Sequence, residues 1–377
     1  MEKNRIKLFA DHEVNTGRQP FLDIAKSLSI VFMVAVHALL DFAHPEDAEG
    51  VTGAWGSEFL RMLLDDILGG TLAAPVFMFA MGVGIMYSRS SDPASQVRRG
   101  KDILWKAVLL NILRAIPYGL VLLLVAQTAE ARGETFEKFV EEALQVDVLT
   151  FAALTFLLLA FLKRIGLACR GILAVAVGMS VLATFFRLLD FGNGFVNLAV
   201  SPFFGVSGSP AHSCFPLFAW FIYPAAGLAF GALLRRCVST ERLFAVVTPV
   251  ALVLFVSLTT WLEVIGYPWV ESEVEFYHMT LVEVLYSFTG IFSILGISVL
   301  LSHVLGGRIM SVIGETSRMI NEVFIVHWLF ISCLAAIFCH ALGYRVGVYE
   351  SQLAVPPILV LSFLLARRWC KARAARR

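Results

Sequence analysis

Ten long apolar runs leave this chain few choices of solvent. A helix needs roughly 20 mostly apolar residues to cross the hydrocarbon core of a bilayer. Segments 21–41, 64–87, 103–126, 144–162, 167–189, 214–234, 243–265, 280–304, 319–341 and 353–369 approach or meet that length. The runs are continuous and do not alternate with polar residues, which excludes a transmembrane β-barrel. Only 16% of the residues are charged and 58% are hydrophobic, whereas a soluble domain carries charge on about a quarter. The expected fold is therefore an all-α polytopic membrane protein, a bundle of about ten transmembrane helices. The first run has no small-residue cleavage site and is expected to be a retained span.

Loop charges predict the orientation. Cations gather on one side: Lys3, Arg5, Lys7 and Arg18; Arg89, Arg98, Arg99 and Lys101; Lys163, Arg164 and Arg170; Arg235, Arg236 and Arg242; Arg308 and Arg318; and Arg367, Arg368, Lys371, Arg373, Arg376 and Arg377. The opposite loops are acidic, with Glu46, Asp47, Glu49, Glu130, Glu134, Glu137, Glu271, Glu273 and Glu275. Positive-inside bias places both termini in the cytoplasm, which needs an even number of spans. The expected organisation is a cytoplasmic segment 1–20, a membrane domain 21–369 and a basic tail 370–377, in the cell (inner or plasma) membrane. Residues 191–213 form the longest outer connection, rich in Gly, Ser and Pro, and read as an irregular loop.

A net charge of +1 gives no reason to expect nucleic acid. The six cysteines are scattered without CxxC or metal-ligand spacing, so neither a disulfide framework nor a metal site is expected.

The first span, KSLSIVFMVAVHALLD (26–41), is apolar except near its ends. From Lys26 to His37 an α-helix turns almost a whole number of times, leaving about 20° of offset and about 16 Å of rise. Asp23 and Asp41 lie near the same face, one turn beyond either end. Polar groups at membrane depth face protein or a water-filled cavity. One reading has Lys26 snorkelling to the headgroups and His37 bonding a neighbouring helix. The other takes His37 and Asp41 as an i, i+4 pair able to hold an imidazole in one tautomer for general-base work.

The stretch RQPFLDIAKSLSIVFMVAVHALLDF resembles the first helix of the transmembrane acyltransferase superfamily, which includes acyltransferase-3 and heparan-α-glucosaminide N-acetyltransferase-like proteins. Its mark is Arg or Lys, ten residues, then His, after a Leu-Asp pair; Lys26, His37, Leu22 and Asp23 match. APVFMFAMGVGIMYSR (74–89), CFPLFAWFIYPAAGLAFGALLRR (214–236) and GETSRMINEVFIVHW (314–328) are similar to later family segments. Two positions depart: Ser27 stands where the family has Gly, and Ala219 where it has Pro.

The resemblance implies an O- or N-acyltransferase that takes an acyl group, typically acetyl, from cytoplasmic acyl-CoA to a carbohydrate hydroxyl or amine at the outer face. His37 and Asp41 would be catalytic, with Lys26, Arg98 and Arg99 holding the donor phosphates. His327, Glu322 and Asp23 would support the site. Acyl-CoA (acetyl-CoA) is a donor substrate, and no permanently bound cofactor is implied. Partners are the donor, a glycan acceptor and the bilayer; homo-oligomers are compatible with it. A transporter or flippase using the Lys26–His37 stripe is the main alternative, and a non-catalytic scaffold the third.

Other polar residues within the spans are Arg114, Glu283, Asn321, Glu322 and His327, while Arg187 and Asp190 at an outer end are expected to pair or meet headgroups. Gly70, Ala74, Ala80 and Gly84 read as helix-packing positions and Pro75 as a kink.

The charge pattern makes topology measurable. Cysteines introduced at 130–138 and 271–275 should label from outside, and those at 95–100 and 371–377 from inside. An outer loop that labels only from the cytoplasm would mean a miscounted span.

Overall fold

The computed structural model describes residues 7–44, 57–88, 91–126, 128–186, 189–207, 209, 213–265 and 277–375. Lys3, Arg5, Glu46, Asp47, Glu49, Arg89, Arg187, Glu271, Glu273, Glu275, Arg376 and Arg377, used above, lie outside the described residues.

The protein is a helical bundle. Among the described residues there is no strand beyond isolated bridge contacts. The main helices are α1 (Pro20–Phe42), α2 (Ala74–Tyr87), α3 (Pro93–Leu124), α4 (Ala129–Leu144), α5 (Val148–Arg164) and α6 (Cys169–Phe185). They are followed by α7 (Ile222–Leu234), α8 (Thr240–Val264), α9 (Leu281–Val304), α10 (Gly307–Arg318), α11 (Ile320–Ala335) and α12 (Val355–Ala375). Two π-helical segments, Leu63–Ala73 and Ala336–Ala341, lead into α2 and out of α11.

Among the described residues eight helices, counting these extensions, are long and apolar enough to cross a membrane. They correspond to eight of the ten expected runs. The other two form α5 and α6, of 17 residues each, about 25 Å long against a hydrocarbon core of ~30 Å. Polar ends set the length of α5: Asp147 caps its first turn by accepting from Leu149 N, and Lys163 and Arg164 occupy its last.

Local chemistry also moves several boundaries. Asp92 caps α3 by accepting from Ser95 N, and Pro93 sits in the first turn, where its missing N–H costs nothing. The helix thus begins ten residues before the apolar run at 103, and Arg98, Arg99 and Lys101 stand on helical turns rather than in a loop. Glu283, expected as a polar group within a span, forms a capping box with Thr280 at the start of α9. Pro75 marks the change from π to α geometry. Residues 191–213, expected to be irregular, contain a short helix, Gly194–Val200, braced by Asn197 Nδ2 donating to Asp190 at 2.8 Å.

α1 is the hub, packing on α2, α9, α10, α11, α12 and the first π segment. The most extensive helix pair is α2 with α7. Its closeness rests on Gly82 and Gly227 rather than on the expected Gly70, Ala74, Ala80 and Gly84. A Cβ on Gly82 would overlap the Pro224 carbonyl, and one on Gly227 the Phe79 carbonyl. Residues 8–15 run across the basic end of the bundle: Phe9 bridges Cys237, Ala10 N donates to Arg236 O at 2.8 Å, and Arg235 pairs with Glu13 at 2.5 Å.

Because backbone cannot yield as a side chain can, Gly82→Ala and Gly227→Ala should each force α2 and α7 apart. The cost is about 1–3 kcal/mol, read as lost thermal stability in detergent. Gly231→Ala would meet mainly the Met86 side chain and should be milder. Equal tolerance of all three would show that the helices can separate freely.

Candidate functional site

Asp23, Lys26, His37 and Asp41 lie along α1 as the helical period dictates, but each has its own neighbours. Asp23 accepts a two-pronged contact from Arg18, at 2.7 Å from Nε and 2.6 Å from Nη2. Arg18 in turn lies against Gly314 of α10, where a Cβ would collide with it.

Lys26 makes no hydrogen bond or ion pair among the described residues. Its ammonium faces Gly84 on α2, 3.6 Å from where a Cβ would stand. That is ordinary contact distance, so an added methyl group would touch Lys26 without displacing it. Arg99 adds a second positive field at Lys26 while its guanidinium lies over the Phe156 ring, 4.8 Å from the centroid. Arg98, one residue away, turns instead to Ser95 at 3.0 Å, and both arginines keep exposed surface. The expected pair of donor cations thus divides, because consecutive residues point about 100° apart.

His37 sits among aromatic rings. Trp328 is 4.1 Å away and His327 5.8 Å, centroid to centroid, both from α11. Among the described residues its imidazole makes no hydrogen bond. Lys26 and His37 both keep accessible surface although helices surround them, so this face of α1 opens on space inside the bundle. His327, in contrast, is fully buried; Nδ1 lies 3.4 Å from Val323 O and Nε2 has no partner.

The anticipated hydrogen bond from the His37 ring to the Asp41 carboxylate does not form. Asp41 instead faces Lys138 of α4 at 3.9 Å. Glu322, expected to support the site, points to another cluster, where Lys106 binds it at 2.9 Å and also binds Asp102 at 3.3 Å. The five-residue offset between Glu322 and His327 separates them around α11.

A buried ion cluster stands behind His37. Arg114 of α3 has no exposed surface; it pairs with Glu142 at 2.9 Å and Asp147 at 3.4 Å, and its guanidinium lies over Trp328, 5.2 Å from the ring centroid. Lys138 joins Glu142 at 3.6 Å and Glu141 at 3.2 Å. Burial pulls the Lys138 ammonium down, but the carboxylates of Asp41, Glu142 and Glu141 outweigh it and hold its pKa well above the usual lysine value. A hydropathy reading passes over Lys138 because it lies in an acidic stretch that resembles an outer loop. Thr135, Lys138, Phe139 and Glu142 recur at i, i+3, i+4 and i+7, the spacing of one helix face.

Residues 19–366 match the model of the acyltransferase-3 family, described as "Acyltransferase domain". That is nearly the whole chain, and the chain belongs to this family. No curated protein and no solved structure matches it.

Removing one member of a buried ion pair leaves its partners uncompensated, at a cost of about 3–5 kcal/mol. Arg114→Met should therefore lower thermal stability severely. Adding Glu142→Gln and Asp147→Asn should restore much of the loss. A single substitution without effect would mean that water already solvates the cluster.

Proposed function

We propose that this acyltransferase-3 family member moves an acyl group, acetyl in the simplest case, from cytoplasmic acyl-CoA to a carbohydrate at the other face of the cell membrane. One observation carries the reading: the unpartnered ammonium of Lys26 and the unpartnered imidazole of His37 open on the same internal face of α1. A donor with a phosphate-bearing end and a long thioester arm fits that separation, about 16 Å along the helix.

Lys26 and Arg99 would hold the donor phosphates by charge-assisted hydrogen bonds. Arg98 would add field at the mouth without contact. At the far end of the arm, the acceptor oxygen or nitrogen attacks the thioester carbonyl while His37 takes its proton. The C–S bond then breaks, and the departing sulfur receives that proton from His37. If His37 first carries the acyl group itself, its unprotonated imidazole nitrogen attacks the thioester carbonyl, the C–S bond breaks and the CoA thiolate leaves. The acceptor then attacks the acyl-imidazole, the C–N bond breaks, and the acceptor's proton passes to the thiolate. The Trp328 and His327 rings fix the plane of the imidazole on either route.

In lipid nanodiscs with acetyl-CoA, His37→Ala should cut transfer at least ~10²-fold while donor binding persists. Activity within a few-fold of wild type in a folded His37→Ala protein would end the catalytic assignment.

The donor end has a separate signature. Lys26→Gln should raise the apparent KM for acetyl-CoA by roughly 10- to 100-fold, as loss of a charged hydrogen bond worth ~1.5–3 kcal/mol requires. Lys26→Arg should keep activity. An unchanged KM in Lys26→Gln would place the phosphates elsewhere.

A further inference from the structure

Asp23 stands where it could neutralise the cation beside it. It lies three residues before Lys26 on α1, a spacing that brings the two Cβ atoms to about 5–6 Å. Its field reaches the Lys26 ammonium. Opposite charges at that spacing attract, yet the two form no ion pair, and Lys26 has no other partner among the described residues. Asp23 is turned the other way. Its Oδ2 accepts from Arg18 Nε at 2.7 Å and lies 2.6 Å from Arg18 Nη2.

Several elements hold Arg18 in place. Its turn is closed by Gln19 Nε2, which donates to Asn15 Oδ1 at 2.7 Å and to Gly17 O at 2.9 Å. Tyr87, one turn beyond Gly84 on α2, fastens the same turn by donating its hydroxyl to Asn15 O at 3.0 Å. On α10, Gly314 yields its side-chain position to the guanidinium, since a Cβ there would collide with Nη2. The Arg18 side chain is nevertheless 57% exposed. An ion pair so exposed adds little to stability, so stability does not account for the arrangement.

We propose that Arg18 is a positioning residue of the donor site: it holds the Asp23 carboxylate away from Lys26 and so keeps the ammonium free for the donor phosphates. The proposal rests on the donor role of Lys26 in the proposed function and extends it. Charge-assisted contacts from a planar, pinned guanidinium prevail over the point charge of a flexible lysine. Without Arg18, Asp23 turns to Lys26, and a phosphate must displace a carboxylate before it can bind. Asp23 has its own place in the helix, because a carboxylate in the first turn of α1 answers the free N–H groups there. Arg18 lets α1 keep that acid without losing the cation.

The test uses the full chain in lipid nanodiscs, with CoA binding followed by calorimetry and acetyl-CoA as the donor in turnover. Arg18→Gln should weaken CoA binding and raise the KM for acetyl-CoA about five- to tenfold, with kcat within about twofold. Adding Asp23→Asn should return both to within about twofold of wild type, because the competing carboxylate is gone. The gain from Asp23→Asn should be about fivefold larger without Arg18 than with it. Gly314→Val alters no charge but fills the place of the guanidinium; it should act as Arg18→Gln does, and Asp23→Asn should reverse it. The proposal is overturned if Asp23→Asn fails to restore CoA binding to Arg18→Gln, for Arg18 then touches the donor itself or merely holds the fold. It also falls if Asp23→Asn has the same effect with and without Arg18, which is the result of a simple change in field. A Lys26→Gln protein that binds CoA as wild type does would instead remove the donor role of Lys26, and the positioning role with it.

Discussion

A charge at membrane depth must be answered by another, and the pairing of Arg114 with two buried carboxylates meets that demand. Its guanidinium binds carboxylates from α4 and from the cap of α5 while lying over a tryptophan of α11. One side chain thereby ties α3 to three other elements. Because α4 is held in this way, Lys138 can reach Asp41, and because Trp328 is held, the His37 ring has a wall. The cluster is not simply a store of stability, since an apolar replacement of all its members would pack as well or better. What it supplies is register between helices that lipid alone would let slide.

The α1 face shows how far the amino-acid sequence can be read. Its 3.6-residue period alone puts Asp23, Lys26, His37 and Asp41 on one face, and the family segments point to His327. The first turns of α3 are harder, because their basic cluster precedes an apolar run and resembles a loop. The N-cap at Asp92 is visible, but a hydropathy reading passes over polar helical turns. Once the helix starts there, phase alone separates Arg99 from Arg98.

Lys138 is less legible, because it lies in a helix too acidic to read as a span. The pairing of Asp41 is hidden for a different reason. An i, i+4 rule sees only partners on the same helix, and the stronger claim on this carboxylate comes from a lysine on another. Helix packing behaves similarly: small-residue spacing names four candidates on the first π segment and α2, whereas the contact with α7 selects Gly82.

The contacts of α1 are far apart in the chain. Residues 8–15 close onto the connection between α7 and α8, and His37 finds its aromatic neighbours only in α11. During synthesis, which adds about 5–20 residues per second, α1 would wait many seconds in lipid before its partners exist. Its lysine and histidine would meanwhile lack the enclosure they have in the finished bundle. The surroundings of Lys26 and His37 are thus completed late in assembly. A truncated or stalled chain would hold an inserted first helix without the α11 rings that wall His37 in the finished bundle.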